Sequence, residues 1–238
     1  MHIASLQSLI IKETEDYIFI NKPPFLSTLA DRTESITVLS LAKAYGADIQ
    51  VCHRLDKETS GVLLLAKNAE AYRNAAIQFE KRKIKKVYHA IADGIHDLSN
   101  EVVDLPLHIT SSGYVKISHK RGKLAKTEFN TLEAFKKHTL IECMPESGRM
   151  HQIRVHLAAL KASITGDEQY GGKPLLLSSI KAKYNLSKAG EEQPVIKRFA
   201  LHARTLSLLG VDGVPLTCEA PYPKDFGVAL KQLSKNRN

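Results

Sequence analysis

Five consecutive apolar residues, Val62 to Ala66, constrain this chain more than any other stretch. A strand that is apolar at every position must be covered on both faces, so it belongs in the interior of a sheet. A polar, charged run, His53 to Ser60, stands directly before it, with Gly61 between, and the whole reads HRLDKETSGVLLLAKN. Asp56 lies in that run beside Arg54, Lys57 and Glu58. An Asp ahead of a strand is commonly a turn or cap residue. Its charged company, and a Gly61 that lets the backbone turn or approach another segment closely, also suit a carboxylate held for chemistry. The stretch alone leaves both readings open.

The surrounding pattern places it in a fold class. Tyr17 to Ile20 reads as a short strand ended by Pro23 and Pro24. Ser35 is the expected cap of a helix with Ile36, Leu39 and Lys43 on one face, and Asn68 caps a helix from Ala69 to about Lys81. Residues 86 to 94 alternate as a strand ended by Gly94, with Val87, His89 and Ile91 on one face and Tyr88 and Ala90 on the other. The stretch 96 to 123 is the least regular and carries a Ser111-Ser112-Gly113 turn signal. Strands follow at 125–134, 139–144, 201–209 and 215–220, and a last helix starts near Pro223 with Phe226, Leu230 and Leu233 on one side. Most strands succeed one another without helical crossovers, which favours a mixed α+β sheet over a doubly wound one.

Residues 148 to 161, GRMHQIRVHLAALK, repeat Met150, Ile153, Leu157 and Leu160 at helical spacing, which predicts an amphipathic helix. Near its start stand Arg149, His151, Gln152 and Arg154, commonly just a solvated face. Arginines there oppose the helix dipole and call for a partner. Ser147-Gly148 gives an entry where backbone N–H groups can meet phosphate. His151 and His156 point about 140° apart on a helix, so they do not share a metal ion.

Composition narrows the function classes. The formal net charge is +9, which suits an anionic partner. Part of the excess is clustered, in KRKIKK (81–86) and SHKRGK (118–123). Lys83, Lys85 and Lys86 of the first cluster could supply phosphate contacts, or form a solvated helix end. There is no Trp, and the Tyr and Phe residues are scattered, so no open stacking platform for single strands stands out. No G-x-G-x-x-G, Walker loop or G-x-S-x-G elbow occurs. The three cysteines form no C-x-x-C pair, and suit buried residues in a reducing compartment. No long apolar run or basic-then-apolar N-terminus occurs, so neither a membrane span nor a secretory signal is expected. The expected location is cytoplasmic.

Several blocks, in order, resemble the RluA-type pseudouridine synthases. HRLDKETSGVLLLAKN is the most specific. YIFINKPPFLS (17–27), KKVYHAIADG (85–94), GKLAKTEF (122–129), the long block ESGRMHQIRVHLAALKASITGDEQYGG (146–172), RFALHARTLSL (198–208) and EAPYPKDF (219–226) are similar to the others. Two departures are visible. Ser147-Gly148-Arg149-Met150-His151 replaces the commoner Thr-Gly-Arg-Thr-His, with Met150 on the apolar face, and Ser163 stands where Pro is usual. The blocks begin within about twenty residues of Met1, so no S4-type RNA-binding segment is expected.

The resemblance implies a single catalytic domain over 1–238, with a largely antiparallel central sheet, flanking helices and loops, and a catalytic cleft across the sheet. It implies isomerisation of uridine in RNA: C1′–N1 breaks, the base rotates and C1′ joins C5. That reaction involves no redox change or group transfer, so no cofactor, nucleotide or metal is expected. Asp56 would be the catalytic carboxylate, as nucleophile or base. Arg154 would be its counter-charge. Tyr88 would stack on uracil and assist proton loss at C5, or be an ordinary half-buried strand residue. Arg54 would fill the space left by the flipped base. His53, Arg149, His151 and Gln152 are second-rank candidates for RNA contacts. Ribosomal RNA and transfer RNA are both open, with a lean toward a small structured RNA such as tRNA or a stem-loop shared by several RNAs, and a monomer is expected. The competing readings are a non-catalytic RNA-binding or ribosome-assembly factor on the same fold, and a hydrolase pairing Asp56 with a histidine.

Overall fold

The run at Val62–Ala66 becomes a strand, Ser60–Ala66, in which every residue is buried. The structure, a computed structural model, describes residues 5–29, 36–181, 184 and 191–237. In chain order the strands are β1 (Ile10–Glu13), β2 (Tyr17–Lys22), β3 (Gln50–Val51), β4 (Ser60–Ala66), β5 (Lys85–Asp93), β6 (Glu101–Asp104), β7 (Leu107–Ile109), β8 (Val115–Ile117), β9 (Lys126–Ala134), β10 (His138–Pro145), β11 (Leu201–Leu209) and β12 (Pro215–Glu219). The helices are α1 (Val38–Tyr45), α2 (Ala69–Glu80), α3 (Gln152–Ala159), α4 (Leu177–Ile180) and α5 (Lys224–Lys235). This is the expected α+β class, and among the described pairings only β4 with β11 is parallel. The chain forms two compact units, Met1–Val87 with His202–Tyr222, and Tyr88–Leu201 with Pro223–Asn238.

In the first unit β4 is enclosed by its neighbours. β2 pairs antiparallel along it from Tyr17–Ala66 to Lys22–Gly61, which carries β2 two residues past the expected Ile20. β3 and β11 also pair with it. Val62, Leu64 and Ala66 pack with Tyr17 and Phe19 of β2, Ala71 and Ala75 of α2, and Leu206 and Leu208 of β11. Two local rules set the helices. Asn68 accepts the Ala71 N–H and starts α2 where expected. The expected cap Ser35 lies outside the described residues; Thr37 caps α1, exchanging side-chain bonds with Ser40 in a capping box.

In the second unit β10 is central. β5 pairs with it from Asp93 opposite His138 to Tyr88 opposite Cys143, and β9 lies on its other side, with β6 beyond. The irregular stretch 96–123 holds three short strands that its residues did not announce. β7 and β8 are a hairpin around the Ser111-Ser112-Gly113 turn, where Gly113 has φ 79°. Three residues are too few to show alternation, so only the turn was readable. α5 starts after Pro223 and buries Phe226 and Leu233 as its spacing predicts, with Ala229 buried beside them and the expected Leu230 only half-buried.

The helix predicted over 148–161 is shortened to Gln152–Ala159. His151 at φ 53° and Lys161 at φ 59° are left-handed and bracket it. Gln152 through Leu157 are all buried, so the bland alternative of a solvated face does not hold for Gln152 and Arg154. Each polar residue there needs a protein partner instead.

Candidate active site

The Asp56 loop is fixed through its neighbours. Thr28 Oγ1 donates to the Leu55 carbonyl at 2.8 Å and accepts the Leu55 N–H at 3.2 Å. The buried Lys22 ammonium donates to the carbonyls of Pro23, Leu26 and Lys57 at 2.9–3.1 Å. The Phe25 N–H also reaches the Lys57 carbonyl. At the loop's far end Ser60 Oγ lies 3.0 Å from His202 Nδ1, and His202 Nε2 lies 3.2 Å from the Ala220 carbonyl. A carbonyl only accepts, so Nε2 carries the proton and Nδ1 accepts from Ser60. Gly61 does what its position suggested. It sits at φ 116°, and a Cβ there would fall 2.1 Å from the Ala203 carbonyl oxygen, so β11 can lie against it only because it is glycine.

Asp56 itself is half-buried. Its carbonyl accepts the Thr59 N–H at 3.0 Å. Among the described residues of its own unit, its carboxylate makes no hydrogen bond or ion pair. A turn-type Asp uses its side chain to bind backbone nearby; this one does not.

His53 Nε2 accepts the Leu64 N–H at 3.1 Å, and its ring packs on Phe79 at 5.0 Å between centroids. Burial, then the nearby Lys86 charge, pushes its pKa down to about 3. A neutral imidazole that extends the pairing of β4 is a structural tie.

Arg154 is held by its own side chain. Nε and Nη2 donate to the two oxygens of Asp167, each at 2.7 Å, and Nη2 also reaches Gln169 Oε1 at 3.0 Å. The guanidinium carbon lies 4.8 Å from the Tyr170 ring centre and 4.3 Å from that of Phe199. The pair is buried, with side-chain exposures of 7% and 1%. A bidentate fork with aromatic rings beside it fixes both the position and the plane of the guanidinium. The expectation gave Arg154 a single carboxylate partner, Asp56; Asp167 was missed. The signal was available, since GDEQYGG follows the helix and a buried arginine requires a counter-charge.

Gln152 is also corrected. Its Oε1 accepts from Ser147 Oγ and the Arg149 N–H, and its Nε2 donates to the Lys126 carbonyl and Thr127 Oγ1. Four bonds are the full capacity of an amide. It locks the turn before α3 and has nothing left for RNA. It also occupies the Arg149 N–H that could have met a phosphate. From Thr127 the network continues to His156 Nδ1 at 2.9 Å, and His156 Nε2 faces the Leu105 carbonyl at 3.1 Å. Burial lowers the His156 pKa, which keeps this ring neutral. His151, outside the helix, lies 2.8 Å from the Tyr170 hydroxyl, so the two histidines serve separate structural bonds. Among the described residues no group of three or more His, Cys, Asp or Glu could hold a metal ion.

The other candidates divide by exposure. Tyr88 is half-buried on β5; Arg54 and Arg149 are exposed, and Arg149 Nε reaches the Leu124 carbonyl. In KRKIKK, Lys83 and Lys85 are exposed, while Ile84 is buried. Lys86 is half-buried, and burial, then the Arg82 charge, pushes its pKa down to about 8. It is therefore a weaker cation than its neighbours. Met150 packs against Leu107, Val115 and Val155, the packing role read from its place on the apolar face.

A family model described as RNA pseudouridylate synthase matches residues 16–159, running from the first unit into the second. An uncharacterized RNA pseudouridine synthase of Zymomonas mobilis is 33% identical over 217 residues, covering 88% of this chain and 91% of that protein. Ribosomal large subunit pseudouridine synthase D of Haemophilus ducreyi is 35% identical over 235 residues, covering 94% of this chain and 70% of that one. Among solved structures, human RNA pseudouridylate synthase domain containing 4 matches with a TM-score of 0.72 at 25% identity, covering 96% of this chain and 94% of the human one. The chain belongs to the RNA pseudouridylate synthase family. It is an RNA pseudouridine synthase, an isomerase that modifies RNA.

Proposed function

We propose that Asp56 is the carboxylate that opens the C1′–N1 bond of a uridine, acting on the sugar as nucleophile or base. One observation carries this reading. Leu55, Lys57 and Ser60 of the loop are tied to the first unit, while the Asp56 carboxylate is left out of that unit's bonding. A side chain kept uncommitted on a rigid loop is suited to a substrate. Arg154 is the counter-charge that keeps it ionised during the reaction, and the Asp167 fork orients it. Tyr88 stacks on the uracil, and Arg54, exposed on the same loop as Asp56, enters the space the flipped base leaves. Lys83 and Lys85 contact backbone phosphates. Residues 1–238 work as one catalytic domain, a reading supported by a family match over 16–159 that runs from the first unit into the second.

For the substrate we infer a uridine of large-subunit ribosomal RNA. The support is the printed function of relatives such as the Haemophilus ducreyi and Escherichia coli proteins, each called a ribosomal large subunit pseudouridine synthase. Tritium release from C5-labelled transcripts of that RNA and of tRNA tests both parts. Wild-type protein should release tritium from the ribosomal transcript, and Asp56→Asn should release none while still binding it. Full turnover by a folded Asp56→Asn protein would sink the assignment, and release from tRNA alone would move the substrate to tRNA.

A further inference from the structure

Phe25 is a bulky residue at φ 66°, in the left-handed region that side chains with a Cβ enter at a cost. Such strain persists where the surroundings impose it, and it gathers at binding and catalytic sites. Here they impose it from both sides. The Phe25 N–H donates to the Lys57 carbonyl at 2.9 Å, and Lys22 ties the Pro23 and Leu26 carbonyls to that same Lys57 carbonyl. Phe25 is thus pinned to the loop that carries Asp56, through the residue next to it. The fold covers only part of the ring in return. Phe25 is 53% exposed, and among the described residues it makes no ring or cation contact. Glycine would satisfy the backbone better and give up only the partial burial of the ring.

We propose that Phe25 is a stacking platform for an unpaired base of the substrate RNA, beside the uridine being isomerised. This rests on the reading of the Asp56 loop as the reaction loop. Extruding a base leaves neighbouring bases unstacked, and an aromatic face stabilises such a base whatever its identity. Arg54 and Lys57, both exposed on the same loop, supply the positive charge that a backbone entering there requires. One strained ring pinned to a loop that carries cations does locally what the scattered aromatic residues of the sequence did not suggest.

Two measurements test it. In the first, tritium release is followed with the transcript, ribosomal or tRNA, that the wild-type protein turns over. Phe25→Gly should raise the melting temperature yet lower kcat/KM by about tenfold or more, chiefly through KM. Phe25→Leu should lose as much, and Phe25→Tyr should keep most of the activity. Opposite signs for stability and activity are what a purely structural residue would not produce. Wild-type kcat/KM in the Gly or Leu variant would overturn the proposal. In the second, the absence of Trp from the chain makes Phe25→Trp the sole intrinsic indole reporter. Placed in the Asp56→Asn protein, its emission should be quenched on binding the transcript; unchanged emission at saturating RNA would equally overturn the proposal. A failure of the Asp56 reading would show separately, as turnover by Asp56→Asn with Phe25 intact.

Discussion

Asp56 and Arg154 belong to one reaction in our reading, yet the structure secures them by different means. Around Asp56 the bonds go to the backbones of Leu55 and Lys57 and to the side chain of Ser60. Around Arg154 the bonds go to the guanidinium itself, through Asp167 and Gln169. The first arrangement separates folding from chemistry, because the reacting side chain can change while the loop stays. The second joins them, because the charge that serves the reaction also needs its partner to be buried at all.

Substitutions sharpen that contrast. Asp167→Ala should have the largest effect on stability, about 3–5 kcal/mol, because it strands a buried guanidinium. Asp56→Asn should shift stability by no more than about 0.5 kcal/mol, the range of sites outside the packed interior. Urea unfolding of the two proteins side by side checks both, and equal losses would erase the distinction. Thr28→Val should fall between them, at about 1–3 kcal/mol, since it leaves the buried Leu55 amide groups without their partner. It should also slow tritium release with Asp56 intact; unaltered turnover would mean that the loop needs no such tether.

A smaller effect concerns pH. His53 titrates near 3 in the folded chain and near 6.5 when unfolded. Between those values the unfolded chain binds the extra proton, so the stability that neutral His53 supplies is complete above 6.5 and drains away as pH falls toward 3. His53→Gln should therefore be less stable at pH 7 and lose less between pH 6.5 and 4 than the wild type. Parallel curves would show that His53 is not the group responsible. The least effect on the fold should come from Lys83→Glu with Lys85→Glu. Stability should stay within about 0.5 kcal/mol, while RNA binding weakens and its salt dependence flattens. An unchanged salt slope would return these lysines to a solvated helix end.

What could be read in advance follows from how local each cause is. β4, α2, β11 and α5 rest on runs, caps and spacing contained in a few residues, and their placement matched. α3 differed in length. Its apolar spacing was real, but the left-handed His151 and Lys161 that bracket it are not types that announce such a turn. Gln152 and His53 looked like surface groups, because a side chain's partners lie elsewhere in the sequence: Lys126 and Thr127 for one, Leu64 for the other. Asp167 was in plain view within GDEQYGG, but pairing it with Arg154 required knowing that the arginine is buried. Residue type suggested the chemistry, whereas burial and partner choice depended on contacts that no single segment contains.

The contact of Gly61 with Ala203 has a consequence in time. Nothing in residues 1 to 87 can complete the first unit, since the strand that lies against Gly61 belongs to His202–Tyr222. A ribosome adding roughly 5–20 residues per second must first make the whole intervening stretch 88–201, a delay on the order of ten seconds. Until then β4 lacks a neighbour and the Asp56 loop lacks its His202 anchor. The nascent chain therefore emerges with its Asp56 loop unanchored, and the loop gains its last tie only once His202 has been made.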